Sequence, residues 1–394
     1  MIPSVIVPVS SKEILNAVNF LNSNNKIAEF EIKFSEYIGC EHAIATYSGT
    51  AALYVLLKAY GLKKGDEVIA PAYTCESVPR LIIDMDHTIN FVDVDKGTYN
   101  ISMEDLKSKI SKNTKAVLAI HMFGNPCEMK EVMEIAADYN AVVIEDAAQS
   151  IGAEYDGKKI GTIGDAGFFS LGEGKPLTTI NGGFIVTNDE RIAEESRRII
   201  DDFDGFGIRK KFAVVTKLLT YYMLKNPHSY DLIYKMIESR RLERRDKLKV
   251  STGLNHLKFK YTDMQASVGM VQLASLERFN EARKRNAAFL MKPLKEMNGI
   301  HLPQIVRHGK PIFLRLPIWV EDITERQRAD LIVKLRKSGI DASVAYPNSL
   351  PQFFLRVQGF PNVEEMVKKT ITLPTHPLVK ENDLKKIVGV IGGQ

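Results

Sequence analysis

Lys175 closes the Gly-rich run Gly167-Phe168-Phe169-Ser170-Leu171-Gly172-Glu173-Gly174-Lys175-Pro176. Upstream, the apolar stretch Val142-Val143-Ile144 ends in Glu145-Asp146-Ala147-Ala148-Gln149-Ser150. A lysine held by a glycine turn can condense with an aldehyde. A carboxylate ending an apolar strand is costly to bury unless a cation or several donors meet it. A pyridinium N–H is such a cation, so the pair fits pyridoxal 5′-phosphate: Lys175 takes the aldehyde and Asp146 keeps the ring nitrogen protonated. A helix cap or a structural ion pair is the plainer reading of Asp146 taken alone.

Two further segments add to the pair. Ser48-Gly49-Thr50 opens the apolar helical pattern Ala51-Ala52-Leu53-Tyr54. Such a turn offers N–H groups and the positive dipole end to a phosphate, although Ser and Thr there also serve as ordinary N-caps. Ser170, five residues before Lys175, can reach the same phosphate. Other chemistries lack their residues. Phe169 and Pro176 break the nucleotide-triphosphate loop pattern around Gly174-Lys175. No dinucleotide glycine fingerprint, His-Glu-x-x-His, Gly-x-Ser-x-Gly or Cys/His metal spacing occurs in the chain.

The elements that must hold these residues alternate. Short apolar runs at 42–46, 67–70, 89–94, 115–120, 141–145, 166–170 and 183–187 read as strands, with helical patterns such as 50–60 and 129–139 between them. This order predicts an α/β fold with a mostly parallel sheet covered on both faces. Ligands bind beyond the carboxyl ends of such strands, where Tyr73, Asp146 and Ser170 fall. After about residue 275 the pattern shifts to a smaller α+β unit, with helices expected at 276–291, 325–338, 363–369 and 383–388, and strands at 312–320 and 341–346. The expected division is therefore 1–275 for the large domain and 276–394 for the small one.

With 394 residues, 45% hydrophobic and 26% charged, the chain has an ordinary globular composition. A net charge of +5 gives no reason to expect a nucleic-acid partner. The charge is uneven: Arg209 to Lys249 holds 12 Lys/Arg against 4 Asp/Glu, a net +8 that leaves −3 for the rest. This stretch joins the apolar run 212–224 to the basic residues Arg240, Arg241, Arg244, Arg245, Lys247 and Lys249. It reads either as a helical arm packed on its own or a partner subunit, or as a surface that meets an anionic membrane. Three widely spaced cysteines, Cys40, Cys75 and Cys127, suit reduced thiols in the cytoplasm. The start of the chain does not read as a signal peptide, and no run is long enough to span a bilayer.

Taken together, Ser48–Leu53, Glu145–Gln149, Gly164–Gly167, Phe169-Ser170 to Lys175 and Asn181–Gly183, in this order and spacing, closely resemble the DegT/DnrJ/StrS-type sugar aminotransferases. These are fold-type-I pyridoxal phosphate enzymes. Tyr261–Gly269 and Leu373–Pro377 fit later segments of the family, and the resemblance covers roughly 28–207 and 250–394. It implies that Lys175 bonds the cofactor and shuttles protons, Asp146 meets the pyridine nitrogen, and Gln149 lies near the ring hydroxyl. Gly49, Thr50 and Ser170 would hold the phosphate. It further implies a homodimer with shared active sites, and amino transfer from glutamate to a keto group on a nucleotide-linked sugar. The rivals are a transaminase for a non-sugar keto substrate, a sugar dehydratase (in which the lysine is replaced) and a non-catalytic regulator that kept the fold.

Three positions depart from the family pattern. The ring-stacking aromatic aligns with Cys75, which leaves Tyr73 as the other stacking candidate. A phosphate-binding asparagine supplied by the partner aligns with Lys258, with Asn255 nearby. A His-Tyr-Pro segment reads Ala345-Tyr346-Pro347, so Tyr346 stays as a candidate substrate contact. Arg315 is a candidate for a donor carboxylate or a sugar-nucleotide phosphate, against an outward-facing position on its strand.

Overall fold

Alternation of apolar side chains builds the centre of the molecule. The computed structural model describes residues 1–18, 25–205, 207–224, 229 and 253–393. Its strands in chain order begin with β1 (His42–Thr46), β2 (Glu67–Pro71), β3 (Thr88–Val92), β4 (Thr114–Ile120) and β5 (Val142–Asp146). A short pair, β6 (Glu154–Tyr155) and β7 (Lys158–Lys159), precedes β8 (Ala166–Ser170) and β9 (Gly183–Thr187). Seven of these form one sheet in the order β1-β9-β8-β5-β4-β2-β3. Only β9 runs against its neighbours; the other pairings are parallel. The mostly parallel sheet expected from the strand and helix order is therefore present.

Both faces of the sheet are apolar because both are covered. Along β4, Ala116, Leu118 and Ile120 enter one core while Val117 and Ala119 enter the other. The first core takes the helix Gly49–Ala59, which is buried nearly all round, and Ser77–Asp84. The second takes Phe30 and Phe34 of the helix Lys26–Ile38, with Phe34 stacked on Phe184 of β9 at 4.0 Å between ring centroids.

The C-terminal part has its own sheet. After β10 (Ile300–His301) and β11 (Gly309–Lys310), β12 (Arg315–Val320) pairs antiparallel with β10 and with β13 (Thr370–Pro374). Ile2 joins this core and bridges to Ile340, so the start of the chain packs with its C-terminal part. The helix expected from Leu276 begins earlier, at Asp263, because the Thr262 hydroxyl caps Gln265 N–H; it runs 32 residues to Leu294, through position 275. The expected strand from 312 starts only at Arg315. Phe313 takes a positive φ of 43°, and the N–H groups of Ile312 and Leu314 donate to the carbonyls of Gly124 and Phe123 beside the large sheet.

The expected strand 341–346 is corrected. It reduces to one bridge, Ser343 to Thr372. Pro347 cannot extend a ladder, and the Tyr346 hydroxyl is drawn instead to Gln149. Of the stretch 209–250, the apolar run falls in the helix Ile208–Leu224, while the basic run 240–249 lies outside the described residues.

Gly183 shows how tightly the sheet edge meets the helix that follows β1. A Cβ there would stand 2.6 Å from the Ser48 carbonyl carbon and 2.7 Å from Gly49 N, both backbone atoms that cannot step aside. Gly183→Ala should therefore cost about 1–3 kcal/mol by urea unfolding. An unchanged midpoint would mean that the turn moves freely.

Candidate active site

Because β2, β4, β5 and β8 run parallel, their carboxyl ends share one edge of the sheet. The residues just past those ends are distant in sequence and adjacent in space. One cavity there is lined by Gly49, Thr50, Thr74, Cys75, Ser77, Asp146, Gln149, Ser170 and Lys175, with Leu53, Val78, Ala148 and Phe168 as apolar walls. Seven residues singled out from sequence thus meet in one place.

The helix Gly49–Ala59 aims its first turn at this cavity. The Ser48 hydroxyl is used as the cap, accepting from Ala51 N–H at 3.1 Å. The N–H groups of Gly49 and Thr50 have no acceptor within the helix, and they sit at its positive end. Ser170 ends β8 against them: a Cβ on Gly49 would lie 2.9 Å from the Ser170 Cβ. The Ser170 hydroxyl accepts from Gly172 N–H at 3.3 Å, which folds the start of the lysine turn back onto the strand end. Gly49, Thr50 and Ser170 therefore meet at one end of the cavity, where the helix start offers its unpaired N–H groups.

At the other end, Asp146 is 7% exposed. Its Oδ1 accepts from Ala148 N–H at 3.0 Å. Burial pushes its pKa above the ordinary carboxylate range, and Ala148 N–H, Lys175 and His121 offset this only in part. A cation placed against Asp146 would remove the cost of its charge. Lys175 shows the converse. Burial lowers its proton affinity, Cys75 and Asp146 oppose the shift, and Arg315 adds to it. Arg315, at the start of β12, is half-buried and close enough for Lys175 and Tyr346 to feel its charge. That favours the site-facing reading of Arg315 over the outward one.

Gln149 lines the cavity and donates from Nε2 to the Tyr346 hydroxyl at 3.0 Å. Tyr73 stands apart from the cavity. It is fully buried among Tyr99, Phe123 and Tyr346, so the exposed Cys75 occupies the wall instead. Lys258 is also outside its own chain's cavity. Its carbonyl accepts from Asp204 N–H, and its ammonium lies 6.0 Å from the Tyr54 ring on the helix Gly49–Ala59.

Sequence reading passed over Thr74 and Ser77, although both follow the carboxyl end of β2 directly. It also passed over the support behind Asp146. Glu145, fully buried, accepts from Ile163 and Gly164 N–H on Oε1 and from Gly161 N–H on Oε2. His121 Nδ1 accepts the Cys127 N–H at 3.0 Å, so the ring proton sits on Nε2 and is donated to Glu145 Oε2 at 3.0 Å. The His121 backbone donates to the Asp146 carbonyl and accepts from the Ser150 hydroxyl. Burial alone would raise the Glu145 pKa, but His121 and the N–H groups of Gly164 and Gly161 bring it below its ordinary 4.5.

A carboxyl whose folded pKa is depressed adds stability above its unfolded value, and that stability is lost as pH falls through the folded one. Glu145→Gln must turn an NH₂ group toward two of these donors, whichever way it lies. It should cost about 1–3 kcal/mol at neutral pH. In acid urea titrations the variant and wild-type curves should converge below the Glu145 value; a gap that stays constant with pH would contradict the charge argument.

The geometry has counterparts among known proteins. Residues 10–392 match the model of the DegT/DnrJ/EryC1/StrS aminotransferase family. The GDP-perosamine synthase of Escherichia coli O157:H7 is 30% identical, over 93% of this chain and 89% of its own. The dTDP-3-amino-3,6-dideoxy-alpha-D-galactopyranose transaminase of Aneurinibacillus thermoaerophilus is 28% identical over 96% and 94%. The crystal structure of a DegT DnrJ EryC1 StrS aminotransferase from Brucella abortus superposes with a TM-score of 0.77 at 26% identity, covering 97% of this chain and 95% of the other. A Gly-opened helix, a strand-end carboxylate and a loop lysine around one cavity agree with a match that spans nearly the whole sequence, and the chain belongs to the DegT/DnrJ/EryC1/StrS aminotransferase family.

Proposed function

We propose that this enzyme moves an amino group from glutamate to a keto group on a nucleotide-linked sugar, with pyridoxal 5′-phosphate as cofactor. The observation behind the cofactor assignment is the single cavity that joins an anion cradle, a buried carboxylate in want of a cation and a lysine of lowered proton affinity. The bound cofactor would supply an aldehyde and an electron-accepting ring.

The protein's own residues then divide the work. Gly49 and Thr50 N–H groups and the Thr50 and Ser170 hydroxyls hold the phosphate. Asp146 holds a proton at the ring nitrogen. Gln149, itself oriented by Tyr346, meets the ring hydroxyl. Cys75, on the cavity wall where Tyr73 is not, would face the ring. Lys175, its proton affinity lowered by burial, would hold the cofactor aldehyde through Nζ and serve as the group that moves a proton. Arg315 and Tyr346 contact the incoming substrate. A second copy of the chain completes the site, with Lys258 placed in its neighbour's phosphate cradle. The three free cysteines suit a cytoplasmic enzyme. The sugar acceptor is supported by the GDP- and dTDP-linked products named for two relatives.

Two results are expected. The purified protein with pyridoxal phosphate should be yellow and should bleach with L-glutamate, and Lys175→Ala should lose the colour and at least about 10²–10⁴-fold of turnover. Near wild-type transamination by that variant would sink the assignment of Lys175. Asp146→Asn should melt, without cofactor, within about 1 kcal/mol of wild type or above it, since a costly charge is gone. The same variant should gain far less melting temperature from added pyridoxal phosphate; an equal gain would remove Asp146 from the ring.

A further inference from the structure

The helix Ile208–Leu224 has two apolar faces and uses one. Val214 and Leu218 are buried against Val9, Ala17, Met264 and Val268. The other face repeats Ile208, Phe212, Leu219 and Met223 at helical spacing, with the partly buried Val215 between it and the packed side. Ile208 is 54% exposed, Phe212 61%, Leu219 45% and Met223 58%. Of twelve exposed large hydrophobic residues among the described ones, four therefore sit in one stripe on one helix. The helix carries Arg209, Lys210, Lys211 and Lys217 and no acidic residue. It opens the sequence stretch whose net charge is +8 while the remainder carries −3.

We infer that this stripe docks on an anionic lipid bilayer, with the helix lying in the interface. An exposed apolar stripe bordered by Arg209 and Lys211 on an acid-free helix matches such a surface. The apolar side chains enter the acyl boundary while these two cations meet the headgroups, Lys217 and Lys210 being turned to Glu173 and the Phe259 ring on the packed side. With 17 residues the helix is too short to cross, and among the described residues no helix is long and apolar enough to do so. The orientation leaves the active site clear. Lys217 and Tyr221 lie on the side away from the stripe and hold Glu173, two residues before Lys175, at 2.6 and 3.4 Å. A bilayer on the stripe thus faces away from the lysine loop.

The test uses the full chain and vesicles of phosphatidylglycerol and phosphatidylcholine in equal parts, with pure phosphatidylcholine as control. Wild-type protein should float with the anionic vesicles, release at high salt and ignore the neutral ones. The doubly substituted Phe212→Glu/Leu219→Glu chain should lose about tenfold or more of the bound fraction. Its melting temperature, its mass by light scattering and its activity in solution should not change. The proposal falls if wild type does not float with anionic vesicles, as it would if the stripe were covered by the chain's own residues. It also falls if the double variant floats as well as wild type. A double variant that drops to a smaller oligomer would assign the stripe to a second copy instead.

Discussion

Two neighbouring carboxylates at the end of one strand set the terms for the rest of the site. Glu145 and Asp146 close β5, and the pleat sends them to opposite faces. Both are nearly or fully removed from water. The protein satisfies one and not the other. Glu145 receives three backbone N–H groups and the His121 ring, and its pKa falls. Asp146 receives one backbone N–H, and its pKa rises. Opposite shifts on adjacent groups of the same kind follow from how many donors each receives, and on the proposed reading they separate a structural role from a chemical one. The locked carboxylate fixes the loop 161–164 and the histidine behind the strand end. The other is left with a charge that a cationic ligand can relieve. Binding energy is thus stored as an unmet need of the folded chain.

The opposite end of the cavity follows the same logic by another route. There the unmet groups are backbone N–H donors at a helix start, and what keeps them available is close approach. Gly183 lets the sheet edge touch the Ser48–Gly49 backbone, and Gly49 lets that turn touch Ser170. Side chains at either glycine would push the donors away from the serine. On the proposed reading, the unpaired helix N–H groups and the buried carboxylate, in one cavity also lined by Leu53, Val78 and Phe168, fit a molecule with a phosphate and a protonated ring nitrogen.

Much of this was legible in the residues because parallel strands align their carboxyl ends. Reading 141–145 and 166–170 as strands was enough to put Asp146 and Ser170 on one edge. The Ser-Gly-Thr start of a helix and the glycine turn before Lys175 are local signals, and they hold locally. Long-range partners were less legible. Nothing in the sequence near His121 marks it as the donor to Glu145, since the pairing depends on β4 lying beside β5. Tyr73 was drawn toward the ring by being aromatic, but its position after β2 turns it into the core, and the next two residues reach the cavity instead. The segment 341–346 has strand-like composition. It fails as a strand because Tyr346 makes a bond to another part of the molecule.

That bond also ties the C-terminal part of the chain to the cavity. Gln149 is held by Tyr346, and the backbone around Phe313 is fastened to the carbonyls of Phe123 and Gly124. The C-terminal part is therefore fastened directly to the carboxyl ends of the large sheet's strands, with Arg315 at the junction. Arg315 lowers the proton affinity of Lys175 through its charge. On the proposed reading, an anionic group drawn to Arg315 would screen that effect and raise the basicity of Lys175 as substrate arrives. The contact between the C-terminal part and the strand ends therefore sets the electrostatics of the lysine, although Arg315 and Lys175 lie 140 residues apart in sequence.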